Sequence, residues 1–190
     1  SVQNSLDYLS ISNEIVSSLD DFEKKYSKLI LPGVGSFNNA MSDSKIGKYI
    51  NRINQIRSNN TPILGICLGA QILCETGYEG GVTSGLGFVS GIVEKINTTE
   101  RIPHIGWNNV IVKKQHQLFD NIKSDFCAYF VHSYKMKINK IDQCHAFTTY
   151  GEEFPSIVIN KNVVGMQFHP EKSQKNGLML LKNFSEFNVS

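Results

Sequence analysis

Two short stretches of this chain hold residues able to do chemistry together. The first is Pro62-Ile63-Leu64-Gly65-Ile66-Cys67-Leu68-Gly69-Ala70-Gln71, a cysteine two positions from a glycine on either side, after an apolar run and before helix-forming residues. That order describes a nucleophile elbow, a sharp strand-to-helix turn that lifts a side chain clear of its neighbours. A helix beginning at the cysteine would favour its thiolate through unpaired N–H groups and the helix dipole. The second stretch is Val163-Val164-Gly165-Met166-Gln167-Phe168-His169-Pro170-Glu171, an apolar run that delivers a histidine at its end. Pro170 biases His169 towards extended backbone, and Glu171 can hold one imidazole nitrogen while the other faces a nucleophile. Taken singly, each stretch has an ordinary structural reading: a buried cysteine in a turn, a hydrogen-bonded histidine at a strand end. Paired, Cys67, His169 and Glu171 are the parts for nucleophilic acyl transfer, in which the base takes the thiol proton and returns it to the leaving group. Such chemistry also needs N–H donors for a developing oxyanion. The Leu68 N–H and the loop Pro32-Gly33-Val34-Gly35 are the candidates.

These groups need a scaffold that brings distant residues together. Val2, Leu6 and Leu9 predict a short amphipathic helix to about Ser10. A β-prone run at 28–31 ends in Pro32-Gly33, and the spacing of Met41, Ile46, Ile50, Ile53 and Ile56 predicts one helix over 38–59. With the elbow strand at 62–66, this alternation predicts a parallel sheet covered by helices on both faces. The second half changes character. Short strands are expected at 88–93, 107–112, 128–134, 145–149, 156–160 and 163–168, joined as hairpins, before a closing helix over 177–187. The glycine-rich 77–87 lacks the Lys-Ser/Thr of a phosphate loop and reads as a mobile turn region.

Composition narrows the classes. The 190 residues are 41% hydrophobic and 19% charged, which suits one domain, 1–190, with a sizeable core. The net charge of +2 is dispersed, so neither nucleic acid nor a membrane surface is an expected partner. No apolar stretch spans a bilayer and no secretory signal opens the chain, so it reads as cytoplasmic. Cys67, Cys74, Cys127 and Cys144 are too scattered for a disulfide framework, and no cluster has zinc-ligand spacing. Reduced thiols, no metal and no cofactor are expected, with Cys74 in the core.

The motifs LPGVGSF at 31–37, GICLGAQ at 65–71, IPHIGWN at 102–108, YFVHSY at 129–134 and GMQFHPEKS at 165–173 resemble the class-I glutamine amidotransferases. Among these the chain is most similar to the glutaminase subunits of imidazole glycerol phosphate synthases, in motif content and order. The resemblance implies a flavodoxin-like α/β fold with Cys67, His169 and Glu171 as the triad. It implies oxyanion contacts from Val34, Gly35 and Leu68, and glutamine contacts from Gln71, Ser133 and Tyr134. It also implies a heterodimeric (β/α)₈ synthase partner that takes the ammonia for histidine biosynthesis, with Trp107, Tyr129, Lys172 and His104 near the interface. His132 is expected to be a packing residue that shapes the glutamine contacts. Family members open with a strand and a glycine-containing loop, whereas Ser1-Val2-Gln3 looks like the middle of that passage. About a dozen residues of the family pattern are therefore expected to be absent, which would open an edge of the sheet.

The same chemistry with another acceptor, amidination of a bacterial surface sugar, is not separated from this reading by the motifs, because acceptor choice belongs to the partner. A truncated non-catalytic regulatory subunit is a further alternative, motivated by the short N-terminus alone. A cysteine peptidase would share the Cys–His pair, but Gln71 and the 32–35 loop follow the amidotransferase pattern.

Overall fold

Ile63, Leu64 and Ile66 are apolar on both faces of their strand, as a strand buried between two layers requires. The computed structural model describes residues 1–22, 25–42 and 46–188. The first half runs α1 (Val2–Tyr8), α2 (Leu19–Phe22), β1 (Leu29–Leu31), α3 (Phe37–Ala40), α4 (Ile50–Ser58), β2 (Ile63–Ile66) and α5 (Leu68–Gln71). Next come β3 (Thr76–Gly77), β4 (Thr83–Ser84), β5 (Gly91–Lys95), β6 (His104–Val112), β7 (Asp125–His132) and β8 (Tyr134–Ile138). The chain closes with β9 (Cys144–Tyr150), β10 (Glu152–Asn160), β11 (Val163–Met166) and α6 (Gln174–Glu186).

A seven-stranded mixed sheet has the order β1-β2-β11-β10-β9-β6-β7, and a four-stranded sheet the order β4-β3-β5-β8. The α/β fold is present, with parallel pairing in the large sheet confined to β1-β2-β11. The hairpins expected in the second half supply most of the antiparallel remainder, and the β6–β9 pairing of non-consecutive strands completes it. Two cores result. Leu64, Ile66, Phe130, Met166, Leu181 and Phe184 belong to one, under α6. Phe37, Ile53, Ile56, Ile63, Leu73 and Met136 belong to the other, between the large sheet, the short helices and the small sheet. The strand alternation of β2 feeds both.

Three expectations need correction. The single helix over 38–59 is broken into α3, a 3-10 turn at Ile46–Tyr49 and α4. Gly47 lies against the Ser42 carbonyl and donates to it at 3.0 Å, so the chain turns there; positions 43–45 of that expected helix lie outside the described residues. The strand expected over 128–134 is two strands in different sheets, with Ser133 at the change. The glycine-rich 77–87 is not simply a turn: β3 and β4 pair within it, and Gly77 packs so closely on the Phe37 ring that no side chain fits.

Candidate active site

The elbow is built by what its glycines leave out. A β-carbon on Gly65 would strike the Gly69 carbonyl, and one on Gly69 would strike the Leu31 carbonyl at the end of β1. The chain can therefore reverse between them, and Cys67 takes the strained values φ 52° and ψ −109°. Its buried thiol lies 3.8 Å from the Val131 carbonyl of β7. The helix that follows is the four-residue α5.

His169 reaches the same place because β2 and β11 are parallel neighbours, with Ile66 opposite Met166 and the Cys67 N–H donating to the Met166 carbonyl at 2.8 Å. The strand that ends in the cysteine and the strand that leads to the histidine thus finish side by side, where sites in such sheets assemble. Glu171 Oε1 lies 2.8 Å from His169 Nδ1, and both side chains are almost fully buried. The carboxylate accepts from Nδ1, which leaves Nε2 as the ring nitrogen able to serve the sulfur; Nε2 is buried and has no hydrogen-bond partner among the described residues. Burial opposes protonation of His169, but the Cys67 sulfur and the Glu171 carboxylate outweigh it and raise its pKa to about 9. Burial likewise opposes ionisation of Glu171, and the imidazole outweighs it, so the carboxyl stays below its usual range.

The expected oxyanion loop lies against the elbow: the Gly33 β-position is 3.3 Å from Leu68 Cβ and 3.5 Å from the Gly69 nitrogen. Gly35 adopts φ 114°, open to glycine alone, and Val34 is 82% exposed. The Leu68 N–H, first in α5, has no acceptor among the described residues. A cavity of about 370 Å³ is lined by Gly33, Val34, Leu68, Gly69 and Tyr49, on the loop side of the elbow, and touches neither Cys67 nor His169.

Of the expected glutamine contacts, Gln71 is buried and its Nε2 donates to the Tyr134 carbonyl at 2.8 Å and to Gln167 Oε1 at 3.3 Å. Only its Oε1 is left for another donor. Ser133 and Tyr134 follow Val131 and His132 past the sulfur, at the passage from β7 to β8. Three of the four expected interface residues meet in one patch: the Trp107 and Tyr129 rings lie 6.0 Å apart, edge to face, and Lys172 Nζ stands 5.7 Å from the Tyr129 ring centre, whereas the fourth, His104, is buried between Phe130 and Tyr150 and presents no surface to a partner. Trp107 and the neighbouring Ile105 are half-exposed or more.

Sequence reasoning missed Ser173. This buried hydroxyl donates to the His169 carbonyl at 2.6 Å and accepts the Tyr129 N–H at 3.0 Å, while the His169 N–H donates to the Tyr129 carbonyl at 2.9 Å. Its place in GMQFHPEKS was visible, but the fold alone supplies its partners. Cys74 and Cys144 are buried thiols whose pKa values burial pushes up to about 12 and about 11, so they are inert where Cys67 is placed to react. No group of three or more His, Cys, Asp or Glu among the described residues could hold a metal ion.

Residues 2–186 match the family model described as glutamine amidotransferase class-I. The imidazole glycerol phosphate synthase subunit HisH of Caldanaerobacter subterraneus subsp. tengcongensis is 41% identical over 186 residues, covering 98% of this chain and 91% of the relative. The protein of the same name from Lactococcus lactis subsp. lactis is 45% identical over 185 residues, covering 94% and 89%. Among solved structures, a glutamine amidotransferase superposes with TM-score 0.73 at 20% identity, covering 97% of this chain and 90% of that one. PurLQS from Thermotoga maritima gives TM-score 0.73 at 18% identity with the same coverage, a likeness of fold.

Proposed function

Because this chain belongs to the class-I glutamine amidotransferase family, we propose that it is the glutaminase subunit of an imidazole glycerol phosphate synthase. It hydrolyses L-glutamine to glutamate and ammonia, and a (β/α)₈ synthase subunit consumes the ammonia in histidine biosynthesis. His169 Nε2 takes up the thiol proton before attack, as its raised pKa favours, and the Cys67 sulfur then attacks the side-chain amide carbon. The resulting oxyanion is met by the Leu68 N–H and the loop carrying Val34 and Gly35. Collapse expels the nitrogen as ammonia, which takes the proton from His169, and leaves a thioester on Cys67. Water, deprotonated by His169, then releases glutamate and restores the thiol. Glu171 holds the imidazole with Nδ1–H towards itself through both halves. The substrate's amino-acid end is assigned to Ser133, Tyr134 and Gln71.

The observation that carries this reading is the 2.8 Å His169–Glu171 pair at the end of a strand running parallel to the strand that presents Cys67. The patch of Trp107, Tyr129 and Lys172 is the proposed synthase contact, since aromatic anchors beside a cation suit a central interface position. Ammonia passed there unprotonated stays a nucleophile, as ammonium in bulk water is not. Glutamate release from free glutamine, assayed with and without the synthase, tests the proposal. Activity is expected to be slight alone, strong in the pair and absent in Cys67→Ala. An active Cys67→Ala protein would overturn the nucleophile, and capture of a sugar amidotransferase in place of the synthase would overturn the acceptor.

A further inference from the structure

Two histidines outside the triad sit back to back in the core. His104 of β6 and His132 of β7 are opposite in register, and His104 Nδ1 lies 3.0 Å from His132 Nε2. The His104 ring is stacked between Phe130, 4.8 Å away, and Tyr150, 4.0 Å away, so its plane is fixed. Both rings are nearly inaccessible. Each neighbour fixes the next proton. The Tyr134 carbonyl lies 2.7 Å from His132 Nδ1 and can only accept, so that nitrogen carries hydrogen. Burial holds the pKa of His132 near 3 and that of His104 near 4, so each ring is neutral and carries a single proton. His132 Nε2 must then accept, and His104 Nδ1 must donate. His104 Nε2 is left an acceptor, and Asn108 Nδ2 donates to it at 3.2 Å. The Asn108 amide is itself oriented by the Thr149 carbonyl at 2.9 Å and the Asn109 N–H at 2.8 Å.

We propose that His104 and His132 are positioning residues for the glutamine site. They form a one-way hydrogen-bond chain, Asn108 to His104 to His132 to the Tyr134 carbonyl, that fixes the turn at Ser133 and Tyr134 beside Gln71. This rests on the assignment of Ser133, Tyr134 and Gln71 to glutamine. The carbonyl at the end of the chain is the one that also anchors the Gln71 amide, so two buried donors converge on one oxygen. One donor, Gln71, is itself an expected substrate contact and the other, His132, adjoins Ser133; the Val131 carbonyl, next to His132, faces the sulfur. A packing residue would need neither the proton order nor the shared carbonyl.

Nitrogen-15 spectra of the imidazoles in the full-length chain at pH 7 test the chain directly. Both rings are expected to be neutral with hydrogen on Nδ1, the reverse of the Nε2–H form that free neutral histidine prefers. Hydrogen on His132 Nε2, or charge on either ring, overturns the proposal. Kinetics with the synthase present test the positioning. His132→Leu is expected to raise KM for glutamine about tenfold, the effect of one hydrogen bond, with kcat within about threefold. His132→Asn keeps a donor close to the Nδ1 position and is expected to recover most of that loss. Equal KM values in the two variants overturn the positioning role, even where the spectra show the expected protons. A wild-type chain without glutaminase activity counts against the function proposed above, and the spectra still decide the proton order.

Discussion

Cys67, the proposed nucleophile, is held at positive φ, and that strain separates two variants that both remove the sulfur. Cys67→Ala keeps a β-carbon in a conformation that costs L-residues about 1–2 kcal/mol, and Cys67→Gly does not. Both are expected to lose glutaminase activity by about 10⁴-fold or more. The glycine variant is expected to be about 1 kcal/mol more stable than the alanine variant in urea unfolding, and the reverse order would show that the strain is absent. The triad also has a pH signature. His169, raised from 6.5 to about 9 on folding, contributes stability that is complete below about pH 6.5 and is lost as pH rises through 9. Glu171, lowered on folding, contributes stability present above its ordinary range and lost as pH falls through its folded value. The unfolding free energy is therefore expected to decline between pH 6.5 and 9, and His169→Gln to flatten that decline. Parallel slopes for the two proteins would contradict the raised pKa.

Among the strands, Lys135 ties the small sheet to the large one. Its ammonium is almost buried, 3.0 Å from Glu94 of β5 and 3.4 Å from Glu152 at the start of β10. Lys135→Met keeps the stem and removes the charge, which leaves Glu152 without its ammonium and Glu94 with only the exposed Lys137 at 3.6 Å. A loss of about 1–2 kcal/mol in denaturant unfolding is expected, and no loss would mean that solvent already screens the pair. The elbow was legible in the sequence because glycines at 65 and 69 act within a few residues of Cys67. The β2–β11 pairing was not, since nothing local to residue 66 names residue 166 as its neighbour. The interruption of the 38–59 helix depends on one close approach at Gly47, invisible to a count of apolar spacings. His132 reads as a packing residue in the sequence, and its burial next to Ser133 agrees with that. A stronger signal was available: it falls in phase with Phe126, Ala128 and Phe130 on the inward row of β7, so its ring needed an interior partner. That partner, His104, comes from a register no local pattern specifies.

For the whole molecule, the proposed synthase contact and the triad are physically continuous. Trp107→Ala removes a half-exposed indole whose loss leaves the core intact, so unfolding is expected to be unchanged. Synthase affinity is expected to fall about 30-fold, about 2 kcal/mol, and titration calorimetry with the partner checks it. Unaltered affinity would move the contact elsewhere. The backbone of Tyr129 points away from β6 and is occupied by the His169 N–H and the Ser173 hydroxyl. Strand β7 ends the large sheet on that side, so the short turn bearing the base also seals the sheet's outer border. A change that frees this turn harms the molecule twice. It misaims the imidazole, and it uncovers a strand margin onto which another chain can add, so catalytic defects at Ser173 and a tendency to self-associate are expected to travel together.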